Sequence, residues 1–102
     1  MACVIAMYKT PVDPAAFDRY YYATHVPLAK TIAGLRRYDV SVGPVSTLGG
    51  PAPYHLIATL TFDSLAAIQA ALASPEGQAT AADLPNFATG GVDLYFSDTR
   101  TI

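Results

Sequence analysis

Position 25 is a histidine, set in the run Tyr20-Tyr21-Tyr22-Ala23-Thr24-His25-Val26-Pro27-Leu28. Imidazole titrates near neutral pH, so it can act as a general acid or base under mild conditions. Tyr21 and Tyr22 lie about one helical turn earlier and can hydrogen-bond to the ring or wall a pocket beside it. At about 100° per residue, His25 falls on the border of the apolar stripe of its helix, neither fully buried nor fully outside. Pro27 lacks a backbone donor and crowds the preceding turn, which predicts a kink or break around His25-Val26. The bland alternative is a structural histidine that satisfies a carbonyl freed at that kink.

The second histidine, His55, opens a strand-like run on its more polar face, where a strand end or an interface is the simple explanation. Tyrosines and phenylalanines are plentiful and tryptophan is absent. Most of them, including Tyr8, Phe17, Tyr20, Tyr21, Tyr38, Tyr54, Phe62 and Phe87, read as core. Buried phenols still need partners, so this composition suits a pocket with an apolar body and a few polar points. His25 is therefore the candidate catalytic residue. Tyr8, Tyr21, Tyr38, His55 and Phe87 are the candidate substrate-binding residues.

Several chemistries find no support. Gly49-Gly50 and Gly90-Gly91 lack the spacing of a nucleotide-binding loop. No His-Glu-x-x-His run or cysteine pair is present, so no metal site is expected. The eight acids are scattered over caps, turns and strand faces, with no evident catalytic pair. No nucleophile elbow occurs. The expectation is chemistry without a cofactor.

The elements that must position these residues follow from period and punctuation. Ala2 to Tyr8 is an apolar strand stopped by Lys9-Thr10-Pro11. Asp13 and Pro14 suit the cap and first turn of a helix. Phe17, Tyr20, Tyr21, Thr24 and Leu28 then form one stripe. The helix resumes after the expected break and ends near Ile32, with Gly34 behind it. Leu35 to Gly43 alternates as a second strand. Pro44 to Pro53 is an uncharged loop, expected to be mobile. Tyr54 to Phe62 is a third strand, with Tyr54, Leu56, Ala58, Leu60 and Phe62 on one face and His55, Ile57, Thr59 and Thr61 on the other. Asp63 or Ser64 caps a second helix, and Ser74-Pro75 restarts it. Val92 to Ser97 is the last strand. The order βαββαβ predicts a ferredoxin-like α+β domain over residues 1–102, with a four-stranded antiparallel sheet and both helical segments on one face.

Composition bears on partners. The chain is 52% hydrophobic and only 14% charged, against about 25% charged in an average domain. A domain of 102 residues cannot hide that much apolar surface alone, so a second copy is expected against the uncovered sheet face. The net charge is -2 with six Lys and Arg, which excludes a nucleic-acid stripe. No apolar run reaches the ~20 residues of a membrane helix. A single cysteine, Cys3, and an N-terminus without signal character suit a cytoplasmic protein.

The segment FDRYYYATHVPLAKTIAGLRRYDVS, Phe17 to Ser41, resembles the EthD family, in which an aromatic helix runs into a His-x-Pro-Leu segment and then a Gly-Leu turn. Pro51 to Gly91 is similar to the same family. The resemblance implies a dimeric α+β barrel, with two sheets facing each other and a cleft between sheet and helices in each subunit. Its superfamily relatives include proton-transferring isomerases, aldol-type cyclases and cofactor-free monooxygenases, and more distant ones bind haem. A reductase label is common in the family, but no nucleotide motif supports it here. The family histidine matches His25.

Two readings follow. One is an enzyme that moves a proton on a small, oxygenated or aromatic hydrophobic molecule. The other is a non-catalytic binding protein or an accessory to an oxygenase or degradation pathway.

Overall fold

The structure, a computed structural model, describes all 102 residues. Strand β1 spans Ala2–Lys9 and is followed by α1, Pro14–Tyr20. A π-helical turn, Tyr21–His25, leads into α2, Val26–Ala29. Then come β2 (Arg37–Val40), the short strands β3 (Ser46–Thr47) and β4 (Gly50–Pro51), and the long strand β5, Tyr54–Phe62. Helices α3 (Leu65–Ala73) and α4 (Pro75–Asp83), a 3-10 turn at Leu84–Asn86 and β6 (Val92–Asp98) complete the chain. The main sheet is antiparallel in the order β2-β5-β1-β6, with the helices on one face. This is the expected α+β, ferredoxin-like arrangement.

The caps explain where the helices start. Asp13 accepts from the Ala16 amide at 3.1 Å, and Pro14 occupies the first turn, where its missing donor costs nothing. Ser64, not Asp63, caps α3 by accepting from Ala67 at 3.1 Å. Asp63 is engaged elsewhere, taking two hydrogen bonds from the Arg36 guanidinium at 2.8 and 3.1 Å. Ser74 ends α3 and caps α4. The two helices meet so closely that a Cβ on Gly77 would lie 1.9 Å from the Ala71 carbonyl oxygen.

Three local expectations need correction. First, Pro27 does not break the helix. The Val26 amide bonds to the Tyr21 carbonyl, five residues back, and backbone angles stay helical throughout. The widened turn makes room for the proline ring. It also advances less than the ~100° per residue of an α-helix, which swings the following side chains round. His25 moves from the stripe border into the interior, and Thr24, expected in the stripe, is exposed. Second, a β-bulge interrupts the start of β5: Tyr8 pairs with Leu56 but Lys9 pairs with Tyr54, leaving His55 as the extra residue. Alternation reverses there. Tyr54 turns to the helix-free face, where its hydroxyl donates to Asp93 at 2.9 Å, while His55 lies against Phe17. Third, the loop from Pro44 to Pro53 contains the small β3–β4 hairpin, and β2 is only four residues long.

Tyr8, Phe17, Tyr21, Leu56, Ala58 and Phe87 are the main members of one buried cluster. A second cluster, Ala2, Ile32, Phe62, Ile68 and Ala71, lies beneath α3. The helix-free face of the sheet carries Ile5, Met7 and Ile57, each half-buried, with Tyr95 exposed beside them.

Candidate active site

An apolar cleft of about 90 Å³ lies between the helix-facing side of the sheet and the helices. Val4, Leu60 and Phe62 form part of its floor, and Ala29, Ile68 and Ala81 part of its roof. His25, Tyr8 and Tyr38 are the titratable side chains among the residues that line it. Leu72 of α3 and Leu94 and Phe96 of β6 flank the cleft while remaining 40–50% exposed, which marks its open side.

His25 is 3% exposed. Its Nδ1 lies 2.9 Å from Oδ2 of Asp83, the last residue of α4. Asp83 is itself buried and accepts two further bonds on Oδ1, from the Tyr20 hydroxyl at 2.5 Å and the Asn86 amide at 3.0 Å. Burial works against the Asp83 carboxylate, but these three donors outweigh it and hold its pKa below the usual carboxylate range. Burial also lowers the His25 pKa, and the nearby carboxylate does not fully offset that effect. At neutral pH the pair is therefore an ionised Asp83 and a neutral imidazole. The carboxylate can only accept, so Nδ1 carries the proton and Nε2 presents a lone pair. Nε2 has no protein partner, and it is not sealed in the interior, because every fully buried side-chain nitrogen or oxygen has one.

The tyrosines complete the wall. Tyr21 and Tyr38 share a hydroxyl–hydroxyl bond of 2.6 Å. The Tyr8 hydroxyl bonds to no protein atom and is likewise not sealed off. Burial pushes the pKa of Tyr8, Tyr21 and Tyr38 upward, so all three remain protonated and able to donate. No tyrosine bonds His25 directly; the nearest link is Tyr20, through Asp83.

Of the residues singled out from sequence, His25, Tyr8 and Tyr38 line the cleft, and Tyr21 stacks on His25 with ring centroids 5.5 Å apart while holding Tyr38. Phe87 packs behind His25 at 4.6 Å, supporting the ring outside the cleft lining. His55 is not brought to this site. Its Nε2 lies 2.8 Å from Asp18, in a separate surface depression beside Tyr22 and Ser41. Asp83 and Asn86 escaped the sequence reading. One signal was available: an acid at the C-terminal end of a helix opposes the helix dipole and needs another reason to be there. No cluster of three or more His, Cys, Asp or Glu side chains has a metal-holding arrangement. No helix is long and apolar enough to cross a membrane.

The buried pair makes stability depend on pH. Both groups have pKa values lower in the fold than in the unfolded chain, so the unfolded chain binds more protons as pH falls. Stability present above about pH 6.5 should decline below it as unfolded His25 protonates, and decline again below about 3.8 through Asp83. Thermal melts across this range check the sign, and His25→Gln should remove the upper decline. A melting temperature that rises on acidification through that upper step would contradict it.

Fold and site together define a ferredoxin-like α+β protein with a carboxylate-backed histidine at an apolar cleft. A profile of the EthD domain matches residues 9–91, and the chain belongs to the EthD family. It is 44% identical over 100 residues to an 11.0 kDa protein from the thcB-thcC intergenic region of Rhodococcus erythropolis, covering 97% of this chain and 95% of that one. The crystal structure of an EthD family protein from Bacillus halodurans superposes with a TM-score of 0.89 at 32% identity, covering 98% and 99% of the two chains. SnoaB, a cofactor-independent oxygenase from Streptomyces nogalater, shares the fold with a TM-score of 0.70 at 15% identity, over 99% of this chain and 94% of that one.

Proposed function

We propose that this chain is a small, cofactor-independent enzyme that moves a proton on a small oxygenated or aromatic hydrophobic molecule. The observation that carries this reading is the Asp83–His25 pair, with its unpartnered Nε2 at an otherwise apolar cleft. Nε2 accepts a proton from a carbon beside a carbonyl. The carbonyl oxygen, as it gains negative charge, takes a hydrogen bond from Tyr8 or Tyr38. The imidazolium then returns the proton to another atom of the substrate, which completes an isomerisation. A fold shared with a cofactor-independent oxygenase supports the reading.

The test is exchange of the α-protons of cyclohexanone in deuterated water, followed by NMR. The protein should accelerate exchange, and His25→Gln should lower the acceleration by about 10²–10⁴-fold. The rate should rise with pH through one ionisation below the ordinary histidine range and level off at neutral pH. Binding of the ketone without any acceleration, unchanged in His25→Gln, would favour the non-catalytic binder instead.

A homodimer formed through the helix-free sheet faces is part of the proposal, supported by the half-buried Ile5, Met7 and Ile57 there. Sedimentation should give twice the chain mass of 10.8 kDa. Ile57→Glu should split or unfold the dimer, because an unpaired buried charge costs about 3 kcal/mol or more. A wild-type monomer of ordinary stability would exclude this interface. A reducing cytoplasm suits the free thiol of Cys3.

A further inference from the structure

We propose that the cleft selects a neutral ligand with a single-ring head bearing one hydroxyl or carbonyl group, and rejects carboxylates and phosphates. The inference rests on the reading of the cleft as the substrate site and adds the charge, size and orientation of what enters it.

Charge comes first. All six Lys and Arg residues are exposed, and none lines the cleft. Three of them have acidic partners within 4.0 Å, Lys9 with Asp93, Arg36 with Asp63 and Arg37 with Asp39, and the N-terminal amine pairs with Asp98 in the same way at the surface. The fixed charge closest to the polar wall is the Asp83 carboxylate behind His25, which is negative. An anionic ligand would lose its hydration, meet no cation and face a like charge.

Polarity sets the orientation. The wall offers one acceptor, Nε2 of His25, and an uncommitted hydroxyl, that of Tyr8. The other two hydroxyls of the lining are engaged: Tyr38 shares a bond of 2.6 Å with Tyr21, and Thr80 donates to the Glu76 carbonyl at 2.8 Å. A phenol satisfies the wall by donating to Nε2 while its oxygen accepts from the Tyr8 hydroxyl. A ketone does so by accepting from Tyr8 while its acidic C–H faces Nε2. A molecule with several polar groups would leave the rest against hydrocarbon.

Volume sets the size. An enclosed apolar cavity of about 150 Å³ accommodates one benzene ring. The cleft holds about 90 Å³, so one ring uses all of it together with part of the open side. An apolar substituent can extend outward over Leu72, Leu94 and Phe96, but a fused second ring at the head has no room.

The experiment titrates the wild-type protein with p-cresol, toluene, 4-methylbenzoate and 2-naphthol at neutral pH, following backbone amide shifts by NMR. p-Cresol should bind at least tenfold more tightly than toluene or 4-methylbenzoate, with the largest shifts around His25, Tyr8 and Tyr38. Tyr8→Phe, which removes a hydroxyl with no protein partner, and His25→Gln should cut the advantage of p-cresol over toluene to threefold or less. Toluene binding itself should not change. Equal or tighter binding of 4-methylbenzoate would overturn the charge selection alone. Binding of 2-naphthol more than tenfold tighter than p-cresol would overturn the size limit. If no probe shifts cleft amides, the cleft is not a ligand site, and the proposed function fails with this inference.

Discussion

Replacing Asp83 with asparagine is expected to slow proton transfer by about 10²–10⁴-fold while leaving the fold in place. The carboxylate can only accept, which fixes the proton on Nδ1 of His25 and keeps Nε2 basic. An asparagine amide can instead donate to Nδ1. The ring would then carry its proton on Nε2, directed at the cleft, and could no longer accept one there. Tyr20 and Asn86 would still find an oxygen acceptor at position 83, so the surrounding contacts survive. Asp83 is on this account a positioning residue. Cyclohexanone exchange measures the loss, and ¹⁵N NMR of the imidazole reports the tautomer independently. Unchanged exchange together with an unchanged tautomer would remove Asp83 from the mechanism.

Phe87→Ala is expected to cost about 3–5 kcal/mol of folding stability. The ring is buried with centroids 5.3 to 5.7 Å from those of Phe17, Tyr8, Tyr20 and Tyr21, and 4.6 Å from His25. Its removal leaves a cavity against five aromatic neighbours that cannot all close on it. Against a total of about 5–15 kcal/mol for a small domain, that loss brings the protein near unfolding. Urea denaturation should show a much lower midpoint, with Phe87→Leu lying between the variant and wild type. A midpoint unchanged in Phe87→Ala would mean that the ring supports nothing behind His25.

The fold was readable because its signals are local and repeated. Proline after a capping side chain marks α1 at Asp13-Pro14 and α4 at Ser74-Pro75, an apolar run closed by Lys9-Thr10-Pro11 marks β1, and period-two alternation marks β6. Two of the three errors share a cause: one additional residue within an element. The widened turn at Tyr21–His25 and the bulge at His55 each move side chains to another face, and no propensity announces either. His25 was nevertheless recognisable by type and by its family match, whereas Asp83 was not. Its partner lies 58 residues away in the chain, and only the docking of α4 brings the two together. Tyr38 and Tyr21 likewise meet across the helix–sheet interface, at a distance that sequence spacing does not encode.

The close approach at Gly77 has a mechanical consequence. Helix α4 is a short rigid rod that touches α3 at one end and carries Asp83 at the other, six residues and about 9 Å further on. A methyl group at position 77 must push the rod away from the Ala71 carbonyl, and the tilt is delivered to the carboxylate. The 2.9 Å bond to His25 tolerates only a few tenths of an ångström before it weakens. A position without a side chain thus acts as the fulcrum for the reach of Asp83, and the alignment of His25 follows from how nearly two helix backbones can touch.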